Sequence, residues 1–139
     1  MDSILSIIIP TFNRANTLKN TFKTITELDV DFSLLEVIIV DNGSTDQTAL
    51  ISNEFIKKNP NIQAKYIYDN VPGLLTGRHA GSFAAKGDIL AFIDDDVELS
   101  KKWAKSILKT MENMPEVKLL TGPNLPKYES YPPDWLENF

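Results

Sequence analysis

Two short apolar runs that each end in aspartate constrain this chain more than any other feature. Val37-Ile38-Ile39-Val40 leads into Asp41, and Ile89-Leu90-Ala91-Phe92-Ile93 leads into Asp94-Asp95-Asp96. Apolar runs that short, without polar alternation, read as strands buried on both faces, which is the pattern of a parallel sheet covered by helices. Ligands of such a sheet bind outside the carboxyl ends of its strands, so two strands that end in Asp aim both at one crevice. Adjacent carboxylates repel, and a fold gains nothing from three in a row without a counter-charge. Hard oxygen donors at one spot suit Mg²⁺ or Mn²⁺ carrying phosphates, whereas the plainer reading is a solvated acidic turn.

The rest of the chain fits around these strands. Residues 3–9 predict a first strand stopped by Pro10, and Leu18, Phe22, Ile25 and Leu28 follow at helical spacing. Residues 35–40 predict the second strand. Asn42 to Asp46 form a turn in which Ser44 and Gln47 fit a capping box, and Leu50, Ile51 and Phe55 line the next helix. A short strand is expected over 64–68 and a helix over 74–86, where Gly77 and Gly81 let the backbone lie close to a neighbour. After the fourth strand, Ser100 is placed to cap a helix carrying Trp103, Ile107, Leu108, Met111 and Met114, and residues 117–120 predict a last strand. Strand–helix alternation of this kind predicts an α/β layered sheet, largely parallel.

Composition narrows the function classes. The 139 residues suit one domain, and a net charge of −5 with scattered basic residues argues against nucleic acid. The absence of Cys excludes disulfides and thiolate chemistry, and a single His excludes multi-His zinc sites. No apolar stretch approaches the ~20 residues of a membrane span, and no signal peptide opens the chain. The expected location is the cytoplasm, with attachment to the inner face of a membrane as a second expectation.

Four blocks now stand in order: Ile7-Ile8-Ile9-Pro10-Thr11-Phe12-Asn13-Arg14, Val40-Asp41-Asn42-Gly43-Ser44-Thr45-Asp46, the Gly73–Arg78 stretch with Gly81, Ala84 and Lys86-Gly87-Asp88, and Ile93-Asp94-Asp95-Asp96. Together they resemble the family 2 glycosyltransferases of the GT-A fold, the last block resembling the DXD motif. The resemblance covers nearly the whole chain but only the N-terminal, donor-nucleotide half of such an enzyme. It implies a Rossmann-like, mostly parallel sheet flanked by helices. Residues 1–121 would be the nucleotide-sugar-binding part. Residues 122–139, rich in Pro and aromatics, would lead into an acceptor-binding half that this truncated chain lacks.

The resemblance also implies roles. Pro10, Thr11 and Phe12 would line the nucleobase slot, with Asn13 and Arg14 at its mouth. Asp41 with Asn42 would receive the N–H edge of the base, and Arg78 would bring its fork of donors to the base or the diphosphate. Asp95 would contact the ribose, Asp96 would hold Mn²⁺ or Mg²⁺ directly, and Asp94 would be a second or water-mediated ligand. The implied function is the donor-binding portion of a metal-dependent inverting glycosyltransferase. It would move a sugar from a UDP-, GDP- or dTDP-linked donor to an acceptor hydroxyl, with the general base beyond Phe139.

There are departures from the family pattern. Many relatives carry two acidic residues where this chain has Asp41-Asn42, and His79 stands where relatives often have Asn. A neutral amide still accepts an N–H, so the base stays open. His79 reads as a surface residue and Trp103 as core. Asp46 reads as a helix starter. One structural alternative needs no ligand, since the Asp triplet could simply neutralise Arg78. Two other functions remain: an Mg²⁺-binding phosphoacceptor receiver module, against which Pro10-Thr11 counts, and a non-catalytic GT-A scaffold. Tyr128, Tyr131, Trp135, Leu136 and Phe139 give the tail an apolar character suited to self-association.

Overall fold

Buried strands alternate with one-sided helices along the chain, and the result is three layers. A computed structural model describes residues 3–71, 73–128 and 130. Its elements are β1 (Leu5–Thr11), α1 (Ala15–Thr26), a single 3-10 turn (Phe32–Leu34), β2 (Leu35–Asp41), α2 (Thr48–Lys58), β3 (Gln63–Tyr68), α3 (Leu74–Ala84), β4 (Ile89–Phe92) and α4 (Trp103–Asn113). All strand pairs are parallel and the order is β3-β2-β1-β4. The chain therefore steps outward from β1 through β2 to β3, then crosses back to the other side of β1. That reversal opens a crevice between the carboxyl ends of β1 and β4.

The two faces of the sheet carry separate cores. Leu5, Ile7, Ile9, Val37 and Ile39 pack with Leu18, Phe22 and Ile25 of α1 and with Phe55 of α2, and Ala104 of α4 joins the same cluster. Phe22 and Phe55 stack with ring centroids 4.2 Å apart. Ile8, Ile38 and Val40 point to the opposite face, against Ala80 and Ala84 of α3. Each fully buried aliphatic side chain contributes about 1.5–3 kcal/mol. β1 and β2 are buried along their whole length, but β4, read as equally buried, is not: it lies at the edge of the sheet and leaves Leu90 and Phe92 exposed.

Close approach explains the glycines of α3. A β-carbon on Gly81 would collide with the Ile8 side chain, and one on Gly77 would collide with the Asn42 amide. Only a bare backbone lets α3 settle onto β1 and β2 beside the crevice.

Several local expectations fail, each for a nonlocal reason. β1 does not stop at Pro10 but runs through it to Thr11. In β1 the even-numbered residues face β4, as the bonds Ile89 N to Ile4 O and Ile93 N to Ile8 O show. Pairing with β4 ends at Ile8, so the side of Pro10 that lacks an N–H faces no ladder and loses no hydrogen bond. The Ser44–Gln47 capping box does not form, because the Ser44 hydroxyl is taken by the Asn13 N–H at 2.8 Å. The Ser100 side chain does not cap α4, whose N-cap is Lys102; only its carbonyl serves, accepting from Trp103 N–H. α3 ends at Ala84, and Met114 is exposed. Residues 117–120 form no strand, and Leu119 is almost wholly exposed. A strand needs a partner, and apolar character alone does not supply one.

Candidate donor-binding site

The carboxyl ends of three strands and the start of α3 wall a cavity of about 530 Å³. β1 and its loop supply Pro10, Thr11, Phe12 and Arg14. β2 supplies Asn42. The loop after β4 supplies Asp94, Asp95 and Asp96, and Gly73 with Leu74 closes the side at α3. The sequence places these residues far apart, and the parallel sheet brings them together because every one of its strands ends on the same side. Phe12 keeps 55% of its surface exposed, so an aromatic face is presented to whatever enters. A smaller cavity of about 290 Å³ lies between α1 and α2 beside Phe22 and Phe55, away from the strand ends.

The triplet is held rather than loose. Thr11 donates its hydroxyl to Asp95 at 2.7 Å, bridging β1 and β4 across the crevice. Thr21 of α1 donates to the Asp95 carbonyl at 2.9 Å, and Thr24 accepts the Leu99 N–H at 3.1 Å. Burial pushes the Asp95 carboxyl above its ordinary range. The Thr11 bond and the Arg14 charge oppose that push, and Asp96 and Asp94 reinforce it. Arg14 thus supplies part of the counter-charge that a row of acids demands.

Asp94 turns toward α3, where its Oδ1 meets Arg78 Nη2 at 3.3 Å. Both side chains are well exposed, at 38% for Arg78 and 58% for Asp94, so the pair is weak. The buried Arg78 Nε has no partner among the described residues. The ligand-free alternative is therefore met in part: Asp94 does face Arg78, but the guanidinium keeps donors to spare.

The three carboxylates share a wall without forming a ready-made cage. No group of three or more acidic or imidazole side chains is arranged to hold a metal among the described residues. Asp94 engages Arg78 and Asp95 engages Thr11, so the three side chains face different partners. Asp94 and Asp96 are both exposed on the cavity, and Asp96 is the member whose carboxylate meets no hydrogen bond or ion pair among the described residues. One or two carboxylates together with substrate phosphates suffice for Mg²⁺, so the donor set fits a metal that arrives with a phosphorylated ligand.

Three expected site residues, Asp41, Asn13 and Arg78, do not line the cavity: Arg78 meets it only through Asp94, and Asp41 does not open into the crevice as its strand-end place suggested. Asp41 is wholly buried. Its Oδ1 accepts from Ser44 N–H at 2.8 Å and its Oδ2 from the Tyr66 hydroxyl at 2.7 Å. Burial, that bond and the neighbouring charge drive the Tyr66 phenol well above its usual range. Asn42, directly after it, reaches the cavity and donates its amide to Val71 O at 3.3 Å. Asn13 faces the β2–α2 loop. Asp46 starts helices, as read: it accepts from Ala15 N–H at 3.1 Å and from Thr48 N–H at 2.9 Å. His79 is exposed and Trp103 packs against the main core, also as read. Sequence reasoning missed Tyr66 and Thr21. The one signal for Thr21 was a hydroxyl on an otherwise apolar helix face.

Residues 6–138 match the sequence family described as Glycosyl transferase family 2. The chain is 32% identical over 107 residues to glycosyltransferase AglE of Haloferax volcanii, covering 77% of this chain and 35% of that protein. It is 28% identical over 121 residues to validoxylamine A glucosyltransferase of Streptomyces hygroscopicus subsp. jinggangensis, covering 86% and 28%. Among solved structures, mannosyltransferase PcManGT from Pyrobaculum calidifontis in complex with GDP-Man and Mn²⁺ superposes with a TM-score of 0.73 at 21% identity. The match covers 82% of this chain and 33% of that one. S. aureus TarS 1-349 in complex with UDP gives 0.73 at 23% identity, covering 89% and 38%. The chain thus spans about a third of the length of the proteins it matches.

Proposed function

The chain belongs to glycosyl transferase family 2 and carries the GT-A fold, and from that premise we propose that it is the donor-binding part of a metal-dependent, inverting glycosyltransferase. The carrying observation is the strand-end cavity, which joins an aromatic face, an amide, an arginine and three carboxylates. Pro10, Thr11 and Phe12 bind the nucleobase, and Asn42 reads its edge as both donor and acceptor. Asp41 stands behind Asn42 and fixes the loop that carries it. Arg14 sits at the slot's mouth, and Asp95 takes the ribose while braced by Thr11. Arg78 directs its free donors to the diphosphate and exchanges Asp94 for it.

Asp96 would hold Mn²⁺ or Mg²⁺, with Asp94 as a second or water-mediated ligand once Arg78 turns to phosphate. Such a metal neutralises the charge that grows on a departing diphosphate. The residues of this chain contribute binding and orientation: they fix base, ribose and diphosphate so that the glycosyl carbon faces the open side of the cavity. Residues 1–121 carry this part. Residues 122–139 lead toward an acceptor-binding region, which also supplies the general base. The neighbours' GDP-Man and UDP support a nucleoside diphosphate sugar as the donor class. Among the described residues no helix is long and apolar enough to cross a membrane.

Calorimetric titration with UDP, GDP and dTDP, each with and without Mn²⁺, tests the reading. Metal-dependent binding of one of them supports it. Indifference to all three would overturn it and leave the non-catalytic GT-A scaffold in its place.

A further inference from the structure

Asn13 stands between Phe12 and Arg14, both of which wall the cavity, yet it is not on that wall itself. Its side chain points to the β2–α2 loop. The amide Oδ1 accepts Thr45 N–H at 2.8 Å, Asp46 N–H at 3.3 Å and the Thr45 hydroxyl at 3.4 Å. Its own N–H donates to Ser44 Oγ at 2.8 Å. The β2–α2 loop answers in kind, since Asp46 Oδ2 accepts the Ala15 N–H at 3.1 Å at the start of α1. Ser44 is in turn tied to the buried Asp41. Asn13 also has a positive φ of 52°, which Asn and Asp tolerate better than most residues.

We infer that Asn13 is a positioning residue: its reciprocal clasp with Ser44, Thr45 and Asp46 sets where Phe12 and Arg14 stand at the cavity. A left-handed residue at this point reverses the direction of the chain, so its two neighbours project where the reversal puts them. The clasp fixes the reversal against the β2–α2 loop, the segment that also carries Asn42. Aromatic face, arginine and amide then form one preorganised unit, and binding need not order them. The inference rests on the nucleotide-binding reading for its consequence but not for its geometry.

The test uses three variants of the full 139-residue chain. Asn13→Ala removes the acceptor and strains the backbone. Asn13→Gly removes the acceptor and keeps the backbone at ease. Asn13→Asp keeps both an acceptor oxygen and tolerance of positive φ. In titrations with UDP, GDP and dTDP plus Mn²⁺, the Ala and Gly variants are expected to lose about ten-fold in affinity for whichever binds the parent, and Asp to stay within about two-fold. Thermal unfolding serves as the control for global stability. In ¹⁵N relaxation of the unliganded chain, order at Phe12 and Arg14 should fall in the Ala and Gly variants and hold in the Asp variant, with Ile39 unchanged in all three. A Gly variant that matches the parent in both readouts would overturn the inference, because backbone conformation alone would then suffice. If the parent binds no nucleoside diphosphate, the nucleotide reading fails by itself. Unchanged order at Phe12 and Arg14 would then still sink the clasp.

Discussion

Arg78 is the residue where structural and ligand-directed readings compete most closely. It meets Asp94 through one nitrogen at 3.3 Å, and its buried Nε meets nothing among the described residues. If its purpose were to neutralise the acidic loop, a lysine would do nearly as well. If its purpose is to grip a diphosphate, the planar fork matters and a lysine will not replace it. Arg78→Lys is therefore expected to weaken nucleoside diphosphate binding about ten-fold while changing unfolding stability by no more than ~0.5 kcal/mol. Isothermal titration and chemical denaturation of the same variant decide it, and parent-like affinity would return Arg78 to a surface ion pair. Much at this scale was legible. Asp41 and Asp94 are recognisable as strand ends because the apolar runs before them do not alternate. Their different fates were not legible. Nothing in the spacing says that Asp41 will be sealed under Tyr66, a residue 25 positions away, while Asn42 takes the cavity.

The elements divide the molecule into a working end and a fastening end. At the amino ends of the strands, Glu36 of β2 is buried and gathers Ser6 Oγ at 2.6 Å, Lys86 N–H at 2.8 Å and the Lys65 ammonium at 2.8 Å. Lys65 also reaches the Ala84 carbonyl at the end of α3, and Gly87 N–H reaches Ser6 Oγ. These bonds tie β1, β2, β3 and the α3–β4 turn to one carboxylate. Burial alone would raise the Glu36 pKa, but the bonds from Lys65, Lys86 and Ser6 outweigh it and hold the carboxyl below its ordinary value of 4.5. A carboxylate whose pKa is depressed by folding stabilises the fold above its unfolded pKa and ceases to do so as pH falls through the folded value. The parent should thus lose stability as pH drops below about 4.5, and Glu36→Gln should flatten that part of the profile. At neutral pH the same change should cost about 2–3 kcal/mol by leaving Lys65 short of its partner. Urea denaturation from pH 3 to 7 reads both effects, and a variant with the parent's slope would contradict the assignment.

α3 shows the opposite balance, fixed by absence rather than by bonds. Gly81→Val should cost about 1–3 kcal/mol by forcing α3 off Ile8, and should weaken nucleotide binding as well, because Gly73, Leu74 and Arg78 move with the helix. Thermal unfolding and titration of that variant check both, and a parent-like melting point would show that α3 has slack. The elements that eluded the sequence are those whose form depends on a partner. Pro10 is harmless only because β4 stops short of it, Ser44 leaves its expected cap for Asn13 in another loop, and residues 117–120 have no strand beside them.

At the scale of the whole molecule, one side of the sheet remains open. Leu90 and Phe92 of β4 and Phe83 of α3 are exposed, and Leu119, Leu125 and Tyr128 add further apolar surface. Of the tail residues expected to drive association, Tyr131, Trp135, Leu136 and Phe139 lie outside the described residues. Lys127 returns to pair with Glu98, so the start of the tail runs back toward the loop after β4. The chain spans about a third of its relatives' length, and every residue that lines the strand-end cavity comes from the ends of β1, β2 and β4 and the start of α3. Transfer needs an acceptor hydroxyl held in line and a base within hydrogen-bond reach. The 139 residues alone are expected to bind a donor without transferring its sugar, and to self-associate with rising concentration. Sedimentation of the chain with and without residues 122–139, beside an assay with UDP-, GDP- and dTDP-sugars, checks this. Efficient transfer would show that the catalytic machinery had been misplaced.

If the Asp triplet binds a nucleoside diphosphate through a metal, and does not merely balance nearby arginines, Asp96→Ala separates the two. Asp96 is exposed on the cavity, and no hydrogen bond or ion pair engages its carboxylate among the described residues. Removing it takes nothing from the fold and relieves repulsion with its neighbours. Calorimetry should find that the variant loses Mn²⁺-dependent nucleotide binding while its unfolding midpoint without ligand equals or exceeds the parent's. Unchanged affinity in Asp96→Ala, with the fold intact, would contradict the account.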